Sequence, residues 1–204
     1  LEVEKQLLAF EDLFGMPPFR VDGHQHVHVL PGVREVLSRL LPRHGVRWIR
    51  IPEEALLVSG MPDHELAGLV DQSALKFYRE VSDQASAARP IFQAAGLRCT
   101  DAFVGMLTMG RNLTANSLKR SLTAILKLHQ LGGEASPTIE LMTHPGYPLK
   151  EADPVNQGCA AQLGPDDFSR SLDRAHEMAM LQSREFGEVV RAFSGQLYGF
   201  GDLA

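Results

Sequence analysis

Val21-Asp22-Gly23-His24-Gln25-His26-Val27-His28-Val29-Leu30-Pro31-Gly32 is the stretch on which the reading of this chain turns. It holds three of the eight histidines of the sequence, with an aspartate two residues ahead of the first. Phe19-Arg20-Val21, released by Pro17-Pro18, reads as a short extended run. A helical pattern begins after Pro31. The cluster therefore falls at the C-terminal end of a strand and ahead of a helix, where open α/β sheets and α/β barrels place their chemistry. In extended chain alternate side chains share a face, which would put His24, His26 and His28 beside Asp22. Imidazoles next to a carboxylate suit a divalent metal or acid–base work. The bland alternative is a polar loop of hydrogen-bonded or solvated histidines.

Working outward, the chain has 204 residues, 44% of them hydrophobic, enough for one domain over 1–204. The net charge is -5 and no basic run occurs, which argues against nucleic acid or an anionic membrane as partner. No apolar run approaches the ~18 residues of a membrane span. Cys99 and Cys159 are the only cysteines, so a disulfide framework is not expected. With no signal peptide in view, the expected location is the cytoplasm.

Val3, Leu7, Phe10 and Phe14 form one helical stripe, which Gly15 ends. Val33, Val36, Leu37, Leu40 and Leu41 mark the helix after Pro31-Gly32, and 46–51 is the next strand candidate. A long helical region starts at Pro62-Asp63 with Asp63 as N-cap, and is expected to break at Arg89-Pro90. Leu97 to Thr100 reads as a strand, Leu118 to Leu126 as a helix stripe ended by Gly132-Gly133, and Thr138 to Met142 as a strand. Residues 148–166 form a long loop, a lid or rim candidate. Asp167 opens a helix continuing through Leu181, and Gln196 to Tyr198 is a weak last strand. The order is α, then β-α four times, then β, which argues for a parallel sheet, open or closed as a barrel. A barrel typically takes ~250 residues. On that reading the strands missing from this chain are N-terminal, and an uncovered sheet edge would make residues 1–204 alone aggregation-prone or partner-dependent.

Four polar sets follow strands: Asp22/His24/His26/His28, Arg50/Glu53, Asp101 and His144. Parallel strands would bring all of them to one face. His144, in Thr-His-Pro-Gly, reads either as a general acid or as a turn histidine. Arg50 binds an anion or orients a carboxylate, or makes a surface ion pair. Glu53 reads as a solvated charge and Asp101 as a turn cap. Neither cysteine has an activating neighbour in sequence.

At these residues the chain resembles the YdjC/ChbG-type carbohydrate deacetylase family, above all its animal members. The matching words are 21–33, Thr-Asp-Ala-Phe-Val-Gly (100–105) and Glu-Leu-Met-Thr-His-Pro-Gly-Tyr-Pro (140–148), with support from 13–18, 164–169 and His176-Glu177. The resemblance implies a distorted (β/α) TIM-like barrel that removes N-acetyl groups from amino sugars, typically chitooligosaccharides. It implies a divalent metal, magnesium first and zinc second, with His24 as ligand. His144 would protonate the departing amine, Arg50 would occupy the place of an active-site arginine, and Asp22, His26 and His28 would line or support the site. Asp101 is carried as a substrate-binding candidate. The partners so implied are an N-acetylated oligosaccharide and, as a candidate homodimer, a second copy of the chain. The family's early Ala-Asp-Asp-Phe-Gly word and its Gly-x-His word are absent from the sequence. The rival expectation is therefore a truncated or degenerate homologue that binds sugar or protein without turnover.

Overall fold

The computed structural model describes residues 2–132, 136–149 and 167–203. Its elements, in chain order, are α1 (Glu2–Phe14), β1 (Arg20–Val21), α2 (Val33–Leu40), β2 (Trp48–Ile49), α3 (Ala55–Val58), α4 (Asp63–Leu66), α5 (Gln72–Ala94), β3 (Ala102–Val104), α6 (Ala115–Gly132), β4 (Ile139–Leu141), α7 (Asp167–Arg170), α8 (Asp173–Leu181) and α9 (Arg184–Ala192). This is a mixed α/β architecture with small parallel sheets.

β1 pairs with β2 in parallel, Arg20 opposite Trp48 and Val21 opposite Ile49. β3 pairs with β4 in parallel, Phe103 opposite Glu140. Single parallel bridges, Trp48 to Arg98 and Glu54 to Phe103, join the two pairs. The strands thus lie side by side in chain order, the arrangement that successive β-α units produce.

The strands are buried on both faces, and the two faces differ in chemistry. Val21 and Ile49 face a core with Leu37, Leu41, Ala85, Ala88 and Phe92 of the covering helices. Ala102, Val104, Ile139 and Leu141 likewise pack with Ile125 of α6. The alternate residues Arg20, Trp48, Phe103 and Glu140 point the other way. Neighbouring strands lie about 4.8 Å apart, so in a flat sheet β1 and β4 would be separated by roughly 14 Å on the same spacing. Arg20 nevertheless bonds Glu140 directly. The two long side chains thus reach toward each other across this polar face, over β2 and β3.

The expected break in the long helix does not occur: α5 runs from Gln72 to Ala94 with Pro90 inside it. Buried Ala85, Ala88 and Phe92 hold the segment to the core, and Arg89 ties it to Glu53 (Nε, 2.8 Å) and the Thr100 carbonyl (3.0 Å). Tertiary packing outweighs the missing N–H here. Its N-cap is Asp71, which accepts from the N–H groups of Ser73 and Ala74 at 2.9 Å, whereas Asp63 lies in the short α4. The strand read at 97–100 forms at 102–104 instead, leaving only the Arg98 bridge upstream. The helix expected over 167–181 divides into α7 and α8, and 196–198 forms no strand. The stripe on α1 is only partly covered: Leu7 is buried, whereas Phe10 and Phe14 stack at 4.4 Å and are exposed. The Gly133 stop, most of the 148–166 loop, Cys159 and the first half of the 164–169 word lie outside the described residues.

Candidate functional site

The histidine stretch is not extended. Residues His24–Val29 form tight 3-10 turns, and Gln25 (φ 47°) and His26 (φ 62°) take left-handed conformations. The alternation argument for a shared face of His24, His26 and His28 therefore fails. Non-glycine residues in this region are uncommon and are held there by their surroundings. Gly23 makes the turn possible: a Cβ on it would lie 2.9 Å from the backbone nitrogen of His28.

The turn gives the three imidazoles different fates. His28 is 1% exposed. Its Nδ1 accepts the Gly23 N–H at 3.0 Å, so Nε2 carries the proton and donates to the Arg50 carbonyl at 3.0 Å. Burial lowers its pKa to about 4, leaving a neutral ring with both nitrogens engaged. His28 supports the site from beneath and ties the end of β1 to the end of β2. His26 is buried, stands edge-on to Phe103 at 6.1 Å, and has its pKa lowered to about 4, first by burial and then by Arg50. Its Nδ1 has no hydrogen-bond partner among the described residues. His24 is exposed.

Beside them lies a closed ring of four charges on the polar face of the strands. Arg20 Nη2 donates to Asp22 Oδ2 at 3.0 Å, and Arg50 Nη1 meets the same oxygen at 2.8 Å. Arg50 Nε donates to Glu140 Oε1 at 2.7 Å, and Arg20 Nη2 bonds that oxygen too. The guanidinium of Arg50 lies over the Phe103 ring, 5.6 Å from its centroid. Burial pushes the Asp22 carboxyl upward, but Arg50 and Arg20 together hold it below the usual value. Each arginine bridges both carboxylates, so the largely buried Arg20, Arg50 and Glu140 are paired as burial requires, while Asp22 lies at the exposed edge of the ring.

His144 follows β4 and is half-buried. Burial lowers its pKa; Glu177 and, less strongly, Asp22 oppose this, while Arg50 and Arg174 reinforce the lowering. His26 feels the charges of Arg50, His28, Asp22 and His144. Asp22, His26, Arg50 and His144 are thus electrostatic neighbours at the C-terminal ends of the strands, as the sequence order implied.

Asp101 and Glu53 do not join them. Asp101 precedes β3, because the strand forms later than expected, and its Oδ2 accepts from the N–H (2.7 Å) and hydroxyl (2.6 Å) of Thr138 ahead of β4. It pins the opposite end of the strand pair. Glu53 is paired with Arg89 rather than solvated. Cys99 has its pKa raised to about 11, chiefly by burial, which removes it as a nucleophile. Two concavities, of about 240 and 470 Å³, are lined by neither Asp22, His26, Arg50 nor His144.

Among the described residues, no group of three or more His, Cys, Asp or Glu side chains is arranged to hold a metal ion. With His28 engaged on both nitrogens and His24 apart from the buried cluster, these residues by themselves do not fit a three-ligand catalytic metal. No helix among them is long and apolar enough to cross a membrane.

Sequence reading missed three acids. Glu140 alternates with Ile139 and Leu141, a charge inside an apolar strand, which in a sheet covered on both faces must find a partner. Glu54 is fully buried, and its Oε2 accepts the N–H groups of Gly105 (3.1 Å), Met106 (2.8 Å) and Leu107 (3.3 Å). Glu177 is 1% exposed and accepts the N–H of Gly110 at 2.6 Å and that of His144. Nothing local in the sequence marks the last two as buried.

A family model described as YdjC-like protein matches residues 1–192. Curated relatives named carbohydrate deacetylase are 38% identical in Xenopus laevis, 43% in Mus musculus and 40% in Homo sapiens, each over 99% of this chain. The match covers 65%, 61% and 58% of those proteins, so the chain spans less than two thirds of their length. No solved structure matches the chain.

Proposed function

The chain belongs to the YdjC-like protein family, and from that premise we propose that it carries part of the active site of a carbohydrate deacetylase, a hydrolase that removes N-acetyl groups from amino sugars such as chitooligosaccharides. The observation that carries this reading is the gathering of His144, Arg50, Asp22 and His26 on one charge-balanced face. The chain-order parallel strands and the Arg20–Glu140 contact across two intervening strands support an arc of a distorted (β/α) barrel.

In this reading water adds to the acetamide carbonyl, and the C–N bond of the tetrahedral intermediate then breaks. An amine is a poor leaving group unless nitrogen is protonated as it departs. His144 delivers that proton from its protonated form, which burial disfavours and the charge of Glu177 favours. Arg50, held by Asp22 and Glu140, presents a fixed positive charge beside the reacting acyl group. Tyr147, 77% exposed and three residues after His144, offers an aromatic face to a pyranose ring. Its loop is pinned on both sides by Gly146 N–H to Arg174 carbonyl (3.2 Å) and Leu149 N–H to Ser169 carbonyl (2.9 Å). His24 is the chain's proposed contribution to a divalent-metal site, magnesium ahead of zinc. One imidazole does not make such a site, and no step here passes through a metal.

The test is acetate release from N-acetylated chitooligosaccharides by the protein carrying this chain, with magnesium, with zinc and after chelation. His144→Ala is expected to lower the rate by about 10²–10⁴-fold while the fold is kept. Full activity in that variant removes the acid role. Sugar binding without acetate release under any metal condition favours the second reading, a binding module, for which the absence of a three-ligand group among the described residues speaks.

A further inference from the structure

Glu177 occupies a position that the proposed chemistry has not used. It lies on α8, 1% exposed, and its two carboxylate oxygens take two backbone amides from different loops: Gly110 N–H on Oε1 at 2.6 Å and His144 N–H on Oε2. One loop follows β3 and the other follows β4. The same helix grips the second loop again, through the Arg174 carbonyl, which accepts from Gly146 N–H. Gly146 sits so close that a Cβ there would come within 2.6 Å of the Arg174 guanidinium. Each oxygen accepts from one of these amides, which a neutral carboxamide, with one oxygen and one NH2, could not do. The carboxylate thus supplies a second acceptor and, with it, charge.

We propose that Glu177 is a positioning residue for His144: it fixes the backbone of the His144 loop and sets a negative charge beside the imidazole. The charged groups facing that ring are Glu177 and Arg174 on α8, Arg50 beyond β2 and Asp22 beyond β1, with His26 alongside. Burial, Arg50 and Arg174 oppose protonation of the ring, and Glu177 is the leading influence that favours it. Without Glu177 the ring would lose its proton at lower pH and donate less at neutrality. Only the activity arm of the test rests on the deacetylase reading.

Glu177→Gln keeps the size, removes the charge and leaves one of the two backbone amides without its acceptor. The test is the NMR titration of the His144 ring in the chain, with Asp173→Asn as control, an acid on the same helix paired instead with Arg111 at 2.9 Å. The His144 midpoint is expected to fall by about one pH unit in Glu177→Gln and to stay in place in Asp173→Asn. An unmoved midpoint in Glu177→Gln overturns the proposal. Should that variant not fold, the Glu177 carboxyl ¹³C shift of the unsubstituted chain decides: an inflection at the His144 midpoint supports the coupling and its absence overturns it. In the assay, the high-pH limb of activity moves down with the ring. If the ring titration moves and the activity limb does not, the placement of Glu177 stands and the acid role of His144 falls.

Discussion

Arg50 Nε donates at 2.7 Å to a carboxylate oxygen of Glu140, ninety residues later in the chain and two strands across the sheet. With Arg20 and Asp22 the pair closes a ring in which each arginine meets both acids. Removing Glu140 takes away the more buried acid and leaves two largely buried guanidiniums sharing Asp22 alone. Glu140→Ala is expected to destabilise the chain by about 3–5 kcal/mol, and Glu140→Gln by less. Urea unfolding of the two variants beside the parent checks this; equal, small losses would mean that the ring is solvated.

Stability toward acid is expected to depend on His28. Its ordinary pKa of 6.5 is lowered to about 4 by burial. Between those values the unfolded chain binds the proton and the folded chain does not, so the contribution is present above pH 6.5 and is lost as pH falls toward 4. The stability advantage of the parent over His28→Asn should shrink across that window, read by unfolding at several pH values.

Glu54 works in the opposite direction. Burial raises its pKa from 4.5 to about 7 against the three N–H groups that favour its charge. The folded chain holds a proton that the unfolded chain has released, so stability is greatest below pH 4.5 for this group and declines as pH rises through 7. Glu54→Gln should abolish that decline, and a pH slope identical to the parent's would refute the assignment.

Gly105 ends β3 against β4, and a Cβ on it would lie 2.5 Å from the Cβ of Met142. Gly105→Ala must push the strands apart beside the site. A loss of about 1–3 kcal/mol is expected, together with impaired acetate release; a fully stable, active variant would contradict so close an approach.

Tyr147→Ala is expected to raise KM for chitooligosaccharides with kcat little changed, because a rim aromatic binds substrate and transition state alike. Tyr147→Phe should restore the affinity. A fall in kcat at constant KM would place the ring nearer the reacting bond.

Much of this arrangement is legible in the sequence, and the reasons differ by residue. Asp22, Arg50 and His144 each lie just beyond a strand, so strand order alone brings them together. Asp101 is misplaced because a strand boundary moved by a few residues, which transfers a side chain from one end of the sheet to the other. The histidine stretch is misread because alternation holds only for extended chain, and Gly23 lets the backbone turn tightly enough for His28 to bond back to it. Pro90 shows packing overriding a local rule. Glu54 and Glu177 stay hidden because their partners are backbone amides remote in sequence, and an amide carries no residue-specific signal.

The contact between Arg20 and Glu140 spans 120 residues. Closing so long a loop is entropically slow compared with forming any single helix. Until it closes, the two guanidiniums and two carboxylates stay in water. The desolvation of Arg20, Arg50 and Glu140 is then one late, collective event rather than three separate ones, with Asp22 left at the rim. The folding rate of this chain should therefore respond to ionic strength, and the acquisition of a competent site should coincide with the last kinetic phase instead of preceding it.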